Sequence, residues 1–177
     1  MAEFSDRIIA GVWKGRKLIL PHSESVRPTR NRVRQAAFNV LTARVDWDGV
    51  SVVDLCCGSG AWGLEALSRG AEKAYLVDLD VKVAAKNVEA LKANAEVVRG
   101  DVKAWRPPAL VDVVLADPPY DSRLAGKLVE NAAAYGKPGS WWCMETAVGE
   151  IVEWEGFEKV EYRDYGVSRI WVARQIA

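Results

Sequence analysis

With 177 residues, half of them hydrophobic, the chain is sized for one compact domain with a substantial core. Three cysteines without a CxxC partner and a single histidine, His22, argue against a disulfide framework, a zinc site, metal catalysis or a histidine general base. No apolar run approaches membrane-spanning length and no basic stretch leads into an apolar core at the amino terminus, so a cytoplasmic protein without a membrane partner is expected, as a monomer and without a metal.

The balance of 24 basic and 24 acidic side chains hides an asymmetry: residues 1–44 carry nine Lys or Arg against three acids, +6, which leaves −6 on the remainder. Within that basic extension, Arg7–Trp13 and Arg16–Leu20 read as two strands around Lys14-Gly15, a β-hairpin with a basic tip and edge. Thr29 is then expected to N-cap a helix whose Val33, Ala37, Val40 and Leu41 recur on one face, leaving Arg30 and Arg34 on a more polar side. Arg7, Lys14, Arg16, Lys17, Arg27, Arg30 and Arg34 are the candidate phosphate contacts of an RNA handle, which would position RNA without reading its sequence. A solvated helix face is the ordinary alternative. His22, after Pro21, reads as a surface-loop residue.

From Val50 onward strands and helices alternate in the manner of a doubly wound parallel α/β sheet. The expected order is strand Ser51–Leu55, helix Ala61–Arg69, strand Lys73–Val77, helix Val81–Lys92, strand Glu96–Arg99 and strand Val111–Ala116. Helix Leu124–Ala134 and strand Ser140–Glu145 follow, and Phe157–Arg163 with Ser168–Arg174 closes the chain as an antiparallel pair. Trp141, Trp142 and Trp171 fall in strands as core or sheet-face residues; Trp62 and Trp105 either border a ligand or pack against a helix.

Gly58-x-Gly60-x-x-Gly63 follows the first strand, and Asp78 lies twenty residues after Gly58. That spacing suits a dinucleotide site, where the glycines admit a pyrophosphate and the acid holds a ribose, so a nicotinamide oxidoreductase has to be weighed. Two features favour S-adenosylmethionine instead: Asp54 precedes the loop on its strand, and Gly100-Asp101 recurs after the third strand. The cofactor's ammonium, ribose hydroxyls and adenine amine are all donors that carboxylates accept from, which assigns Asp54 to the ammonium through water, Asp78 (in preference to Asp80) to the ribose and Asp101 to the amine. Singly, each acid also reads as a helix cap or turn residue. Cys56 and Cys57 in the loop are read as small packing residues rather than reactive thiols.

Asp117-Pro118-Pro119-Tyr120 directly follows the apolar run Val111–Ala116. An exocyclic base amine is a poor nucleophile, because its lone pair is delocalised into the ring. Two acceptors aimed at its N–H groups, the Asp117 carboxylate and the Pro118 carbonyl, would turn that lone pair toward an incoming methyl, and Tyr120 would stack on the base. The prolines limit where the acceptors point. The bland alternative is that the prolines stop a strand and Asp117 solvates the turn. Asp54, Asp78, Asp101 and Asp117 all fall at carboxyl ends of strands, where ligands of such sheets collect.

The chain resembles the RsmD-type methyltransferases nearly end to end. The resemblance runs through Arg7-Ile8-Ile9-Ala10-Gly11, Gly15-Arg16-Lys17-Leu18, Arg27-Pro28-Thr29, Phe38-Asn39-Val40-Leu41, Gly58-Ser59-Gly60, Gly63-Leu64-Glu65-Ala66 and Asp117-Pro118-Pro119-Tyr120. It implies a seven-stranded Rossmann-like sheet with the last strand reversed, and methyl transfer from S-adenosylmethionine to the N2 amine of one guanine of small-subunit (16S) ribosomal RNA, with the assembled subunit as usual substrate. Carried onto this chain, it gives the grip on the amine to Asp117 and Pro118, the base face to Tyr120 and the donor site to Gly58, Gly60 and Asp78. Cys56-Cys57, Gln35 and Trp62 depart from the family's usual Phe-Ala, Glu and Leu. A DNA adenine-N6 methyltransferase and a non-catalytic RNA-binding or ribosome-assembly protein are the other readings.

Overall fold

Short runs of valine, leucine and tyrosine form the strands, and the segments between them form the helices. The computed structural model describes residues 6–21, 28–120 and 122–176; His22 and Arg27 lie outside them. Seven strands, β1 (Ser51–Leu55), β2 (Lys73–Asp78), β3 (Ala95–Arg99), β4 (Val111–Ala116), β5 (Gly136–Ala147), β6 (Phe157–Tyr165) and β7 (Ser168–Gln175), build one sheet in the order β3-β2-β1-β4-β5-β7-β6. Neighbours from β3 through β5 are parallel, while β7 runs antiparallel to both β5 and β6. This is the expected Rossmann-like methyltransferase sheet with its last strand reversed. The order turns back on itself between β1 and β4, the kind of switch point where a cleft opens beyond the strand ends.

Helices α1 (Pro28–Thr42), α2 (Ala61–Ser68), α3 (Lys82–Leu91) and α4 (Leu124–Glu130) cover the two faces. Period-2 alternation divides the core. Val52, Leu76, Val113 and Leu115 face α1, α2 and α3, whereas Val53, Val77, Val114 and Trp142 face α4. The helix expected over Leu124–Ala134 stops at Asn131, whose side-chain amide donates to the Lys127 carbonyl at 2.8 Å and competes with the helical ladder; a single 3-10 turn, Ala132–Ala134, follows. No helix among the described residues is long and apolar enough to cross a membrane.

Two expectations for the amino-terminal extension need correcting. First, the regular hairpin is reduced to one antiparallel bridge, Arg7 with Lys17, flanked by Ile8 N–H to Arg16 carbonyl (3.0 Å) and Leu18 N–H to Asp6 carbonyl (2.9 Å). The missing ladder bonds go to α2. Ile9 and Ala10 N–H donate to the two Glu65 carboxylate oxygens (2.8 and 3.0 Å), Trp13 N–H to Ser68 Oγ (3.0 Å) and Val12 N–H to the Ser68 carbonyl (2.8 Å). The chain lies so close that a Cβ on Gly11, which has φ +83°, would sit 1.7 Å from the Ser68 carbonyl oxygen. As a result every residue of α2 is buried.

Second, α1 starts at Pro28, so Thr29 lies inside its first turn rather than capping it; proline suits that first position, where its missing N–H is not needed. Of the expected apolar face, Val33, Ala37 and Leu41 are at most 2% exposed and Val40 is half-buried against the core, while Phe38 is buried with them. Arg34, expected on the polar side, is itself only 2% exposed. Its guanidinium donates to both Asp6 carboxylate oxygens (3.0 and 2.7 Å), the Arg7 carbonyl (2.6 Å) and Asn31 Oδ1 (3.0 Å), and its Nε lies 3.9 Å from Glu65 Oε2. Buried and paired through its two terminal nitrogens, with Nε left without a hydrogen bond, Arg34 serves as a structural cation at the edge of the cleft rather than as a solvated side chain on a polar helix face.

Candidate active site

The loop after β1 makes a tight turn into α2. Cys56 (φ 61°) and Gly60 (φ 79°) take left-handed backbone conformations, and the loop is pinned by Gly58 N–H to Asp78 Oδ2 (2.8 Å), Cys57 N–H to the Val77 carbonyl (3.1 Å) and Asn87 Nδ2 to the Ser59 carbonyl (2.9 Å). Gly63 serves a different need: a Cβ there would lie 2.3 Å from Leu76 Cδ2 and 3.2 Å from Asp54 Cβ, so glycine lets α2 sit this close to β1 and β2 without displacing the Leu76 side chain. A non-glycine residue held left-handed, as Cys56 is, costs about 1–2 kcal/mol and persists only where its surroundings fix it.

Asp54 is set back from the cleft. Strand alternation directs it beneath the start of α2, where it is 1% exposed, accepts from Gly63 N–H at 2.9 Å and does not line the cleft. Burial pushes its carboxyl up to about 7, against the pull of the Gly63 bond. It is therefore a clamp on the loop–helix junction, and a hold on a donor ammonium would run through water, as the sequence reading has it.

The cleft beyond the strand ends has a volume of about 720 Å³, and Gly58, Asp78, Asp101, Asp117, Pro118 and Tyr120 line it. Asp78 has one carboxylate oxygen on Gly58 N–H and the other on Leu79 N–H (2.7 Å), so it is fixed in orientation while each oxygen keeps a lone pair for a ligand. Asp80 does not line the cleft; it accepts from Lys82 N–H (3.1 Å) at the start of α3. Asp101 accepts from Lys103 N–H at 2.9 Å, an ordinary turn bond that leaves its other oxygen 3.7 Å from Lys103 Nζ. Gly60 lies behind the lining, as a conformational element of the loop.

Asp117 continues the β4 pairing through its N–H to the Leu55 carbonyl (3.2 Å) and presents its side chain to the cleft, with Pro118 buried beside it. Tyr120 is held by its hydroxyl, which donates to Glu145 Oε1 (2.8 Å) and lies 2.7 Å from Ser168 Oγ, while the residue stays 39% exposed. Burial, reinforced by the Glu145 and Asp117 carboxylates, pushes that hydroxyl up to about 12 despite the Ser168 bond, so it stays protonated. The Cys56 thiol is likewise pushed up to about 12, first by burial and then by Asp78, Asp54, Asp117 and Asp101. Four acids thus bear on one point, and the thiol is no nucleophile at neutral pH.

Of the basic candidates, Arg30 borders the cleft, whereas Arg7, Lys14, Arg16 and Lys17 are exposed on the extension away from it. Trp62 lines the cleft while packing on Phe38 at 6.0 Å; Trp105 packs on Tyr75 at 5.8 Å and does not line it. Glu145 and Ser168 were missed from sequence. The available signal was a lone acid closing the apolar strand run Trp141–Met144, the same feature that singled out Asp78 and Asp117.

Chemically the cleft is rich in acceptors and carries apolar wall at Leu79, Val102 and Pro118. Such a lining fits a ligand with hydroxyl and amine donors around an aromatic ring, which is the makeup of S-adenosylmethionine. Among the described residues no group of acids, cysteines and histidines is arranged to hold a metal ion.

Comparison with known proteins agrees with this architecture. Over 133 residues the chain is 39% identical to ribosomal RNA small subunit methyltransferase D of Haemophilus influenzae, covering 70% of this chain and 68% of that protein. It is 42% identical over 125 residues to the Escherichia coli K12 protein of the same name, covering 64% and 60% respectively. The solved structure of Escherichia coli yhhF, assigned as a methyltransferase, superimposes with a TM-score of 0.81 at 31% identity, covering 98% of this chain and 99% of that one. A Thermus thermophilus 16S rRNA N2 G1207 methyltransferase, solved with AdoMet and guanosine, shares the fold at a TM-score of 0.74 and 22% identity, covering 97% of this chain and 50% of that one. The family described as Conserved hypothetical protein 95 matches residues 6–174, and the chain belongs to that family, the RsmD-type methyltransferases.

Proposed function

We propose that the protein transfers a methyl group from S-adenosylmethionine to the N2 amine of a guanine in small-subunit ribosomal RNA, with the assembled subunit as substrate. The observation that carries this reading is the meeting, in one cleft, of Asp78 and Asp101 with the Asp117-Pro118-Pro119-Tyr120 segment. The names of the Haemophilus influenzae and Escherichia coli relatives support ribosomal RNA as the substrate class. Family membership sets the nicotinamide reading aside.

In this reading Asp78 holds the ribose of the donor and Asp101 its adenine amine, while the backbone of the Gly58 loop lets the ligand approach closely. When bound, S-adenosylmethionine supplies an activated methyl group on a sulfonium whose leaving form is a neutral thioether. Asp117 and the Pro118 carbonyl accept the two N2 hydrogens, which directs the nitrogen lone pair at the methyl carbon. As the N–C bond forms, the Asp117 carboxylate takes the proton that N2 gives up. Tyr120 supplies a stacking surface worth about 1–3 kcal/mol. Fixing nitrogen, carbon and sulfur in line supplies on the order of 7–11 kcal/mol of the barrier reduction. Lys14, Arg16, Lys17 and Arg30 contact RNA phosphates outside the reacting centre.

The test is transfer of labelled methyl to unmodified small subunits, naked rRNA and duplex DNA, with Asp117→Ala as control and the modified nucleoside identified after digestion. N2-methylguanosine in the subunit, lost in the control, is expected. Label on DNA adenine moves the reaction to N6; label nowhere, with binding intact, leaves a binding protein.

A further inference from the structure

We propose that Glu145 is a specificity-determining residue: its carboxylate accepts the N1–H of the target guanine and thereby selects guanine over adenine. This rests on the guanine-N2 reading and deepens it. Asp117 and the Pro118 carbonyl grip an amine, and both guanine and adenine carry one. The neighbouring ring position separates them, because guanine presents a donor there and adenine an acceptor.

Strand register supplies the missing acceptor. Ala116 of β4 pairs with Met144 of β5, so the next residues along these parallel strands, Asp117 and Glu145, end up side by side. Neighbouring strands lie about 4.8 Å apart, which brings the two carboxylates within reach of adjacent donors on one base edge. Both act on the Tyr120 hydroxyl, so both lie at the same end of the cleft. Glu145 is only 9% exposed and lines the cleft; its Oε1 accepts from Tyr120, and its Oε2 accepts no hydrogen bond among the described residues. That oxygen keeps its lone pairs for a donor on a ligand in the cleft that Glu145 lines. Guanine does so through N1–H, whereas adenine N1 would set a lone pair against it.

Glu145→Gln tests this. The amide keeps an acceptor for the Tyr120 hydroxyl and places a donor where the second carboxylate oxygen was. With unmodified small subunits and labelled S-adenosylmethionine, kcat/KM for N2-methylguanosine should fall about 10- to 100-fold, the range for a lost charge-assisted hydrogen bond. S-adenosylhomocysteine affinity, measured by calorimetry, should stay within about twofold, which reports an intact fold and donor site. A second comparison separates contact with the base from support of Tyr120. If Glu145 touches the base, its substitution still costs about tenfold in a Tyr120→Phe background, where no hydroxyl remains to be held; no added cost there overturns the proposal. Undiminished guanine methylation by Glu145→Gln also overturns it and leaves the guanine-N2 reading standing. Wild-type protein that methylates adenine instead overturns both.

Discussion

Arg34→Ala separates a structural from an RNA-binding role for that side chain. The substitution removes the fork that binds both Asp6 oxygens at 3.0 and 2.7 Å and leaves Asp6, at 7% exposure, without its cation. Glu65, fully buried, loses a charge 3.9 Å away but keeps the Ile9 and Ala10 N–H groups and Arg69 Nε at 2.9 Å. The Arg7 carbonyl and Asn31 Oδ1 lose a donor as well. Removing one member of a buried ion pair costs about 3–5 kcal/mol, and the lower end applies because Glu65 stays satisfied. For a domain of this size about 3 kcal/mol lowers Tm by roughly 6–12 °C. Urea denaturation of the apoprotein followed by tryptophan fluorescence reads the midpoint, and calorimetry with S-adenosylhomocysteine reads the donor site below it. If Arg34 met phosphate instead, the variant would keep its stability and lose RNA affinity. An unchanged midpoint with weakened subunit binding refutes the structural assignment.

Asp78→Ala removes both the Gly58 and Leu79 anchors and, on the proposed function, the ribose acceptor; donor affinity should fall about 10- to 100-fold by calorimetry, and an unchanged Kd removes Asp78 from the donor site. Asp54 gives a pH signature. Its folded carboxyl, pushed to about 7 by burial, lies above the ordinary value of 3.8, so its contribution is fully present below about 4 and is lost as pH rises through about 7. The loss is on the order of 4 kcal/mol in the apoprotein. Asp54→Asn keeps an acceptor for Gly63 N–H without the ionisation, so its denaturation midpoints should fall less between pH 4 and 8 than those of wild type; parallel curves contradict this. Reversing Lys14 and Lys17 to Glu should weaken subunit binding and flatten its salt dependence by about one slope unit per lost phosphate contact, and an unaltered slope places the RNA surface elsewhere.

What could be read from the sequence divides along physical lines. The parallel strands were legible because burial on both faces leaves continuous apolar runs: β1 and β4 fall on their expected residues, and the other strands differ by a few residues at their ends. The acids at strand ends were legible by the same logic, and Asp78, Asp101 and Asp117 do line the cleft. The clamp made by Asp54 was not legible: it lies within its strand, where alternation decides which face it takes, and the acid and the glycine nine residues on give no joint signal in sequence. Arg34 failed because helical periodicity marks a charged residue as polar, and the carboxylates that bury it come from positions 6 and 65. The hairpin forms but is shorter than expected for a related reason: its alternation is real, but several of its donors are claimed by α2. Contacts between residues more than fifty positions apart cannot be found by reading locally.

The seating of the amino-terminal segment on α2 also sets an order of events during synthesis. Residues 9–13 leave the ribosome well before Glu65 and Ser68, whose acceptors they need. Until those fifty-odd residues have been added, the amides of Ile9, Ala10 and Trp13 have only water to bond, and Ile8 and Leu18 have no surface to cover them. A part of the chain made earlier is therefore completed later, after α2 has docked on β1 and β2 and the long loop between has closed at its entropic cost. A nascent chain halted before Ser68 should hold this segment unstructured and open to proteases, and one halted after β2 should begin to protect it.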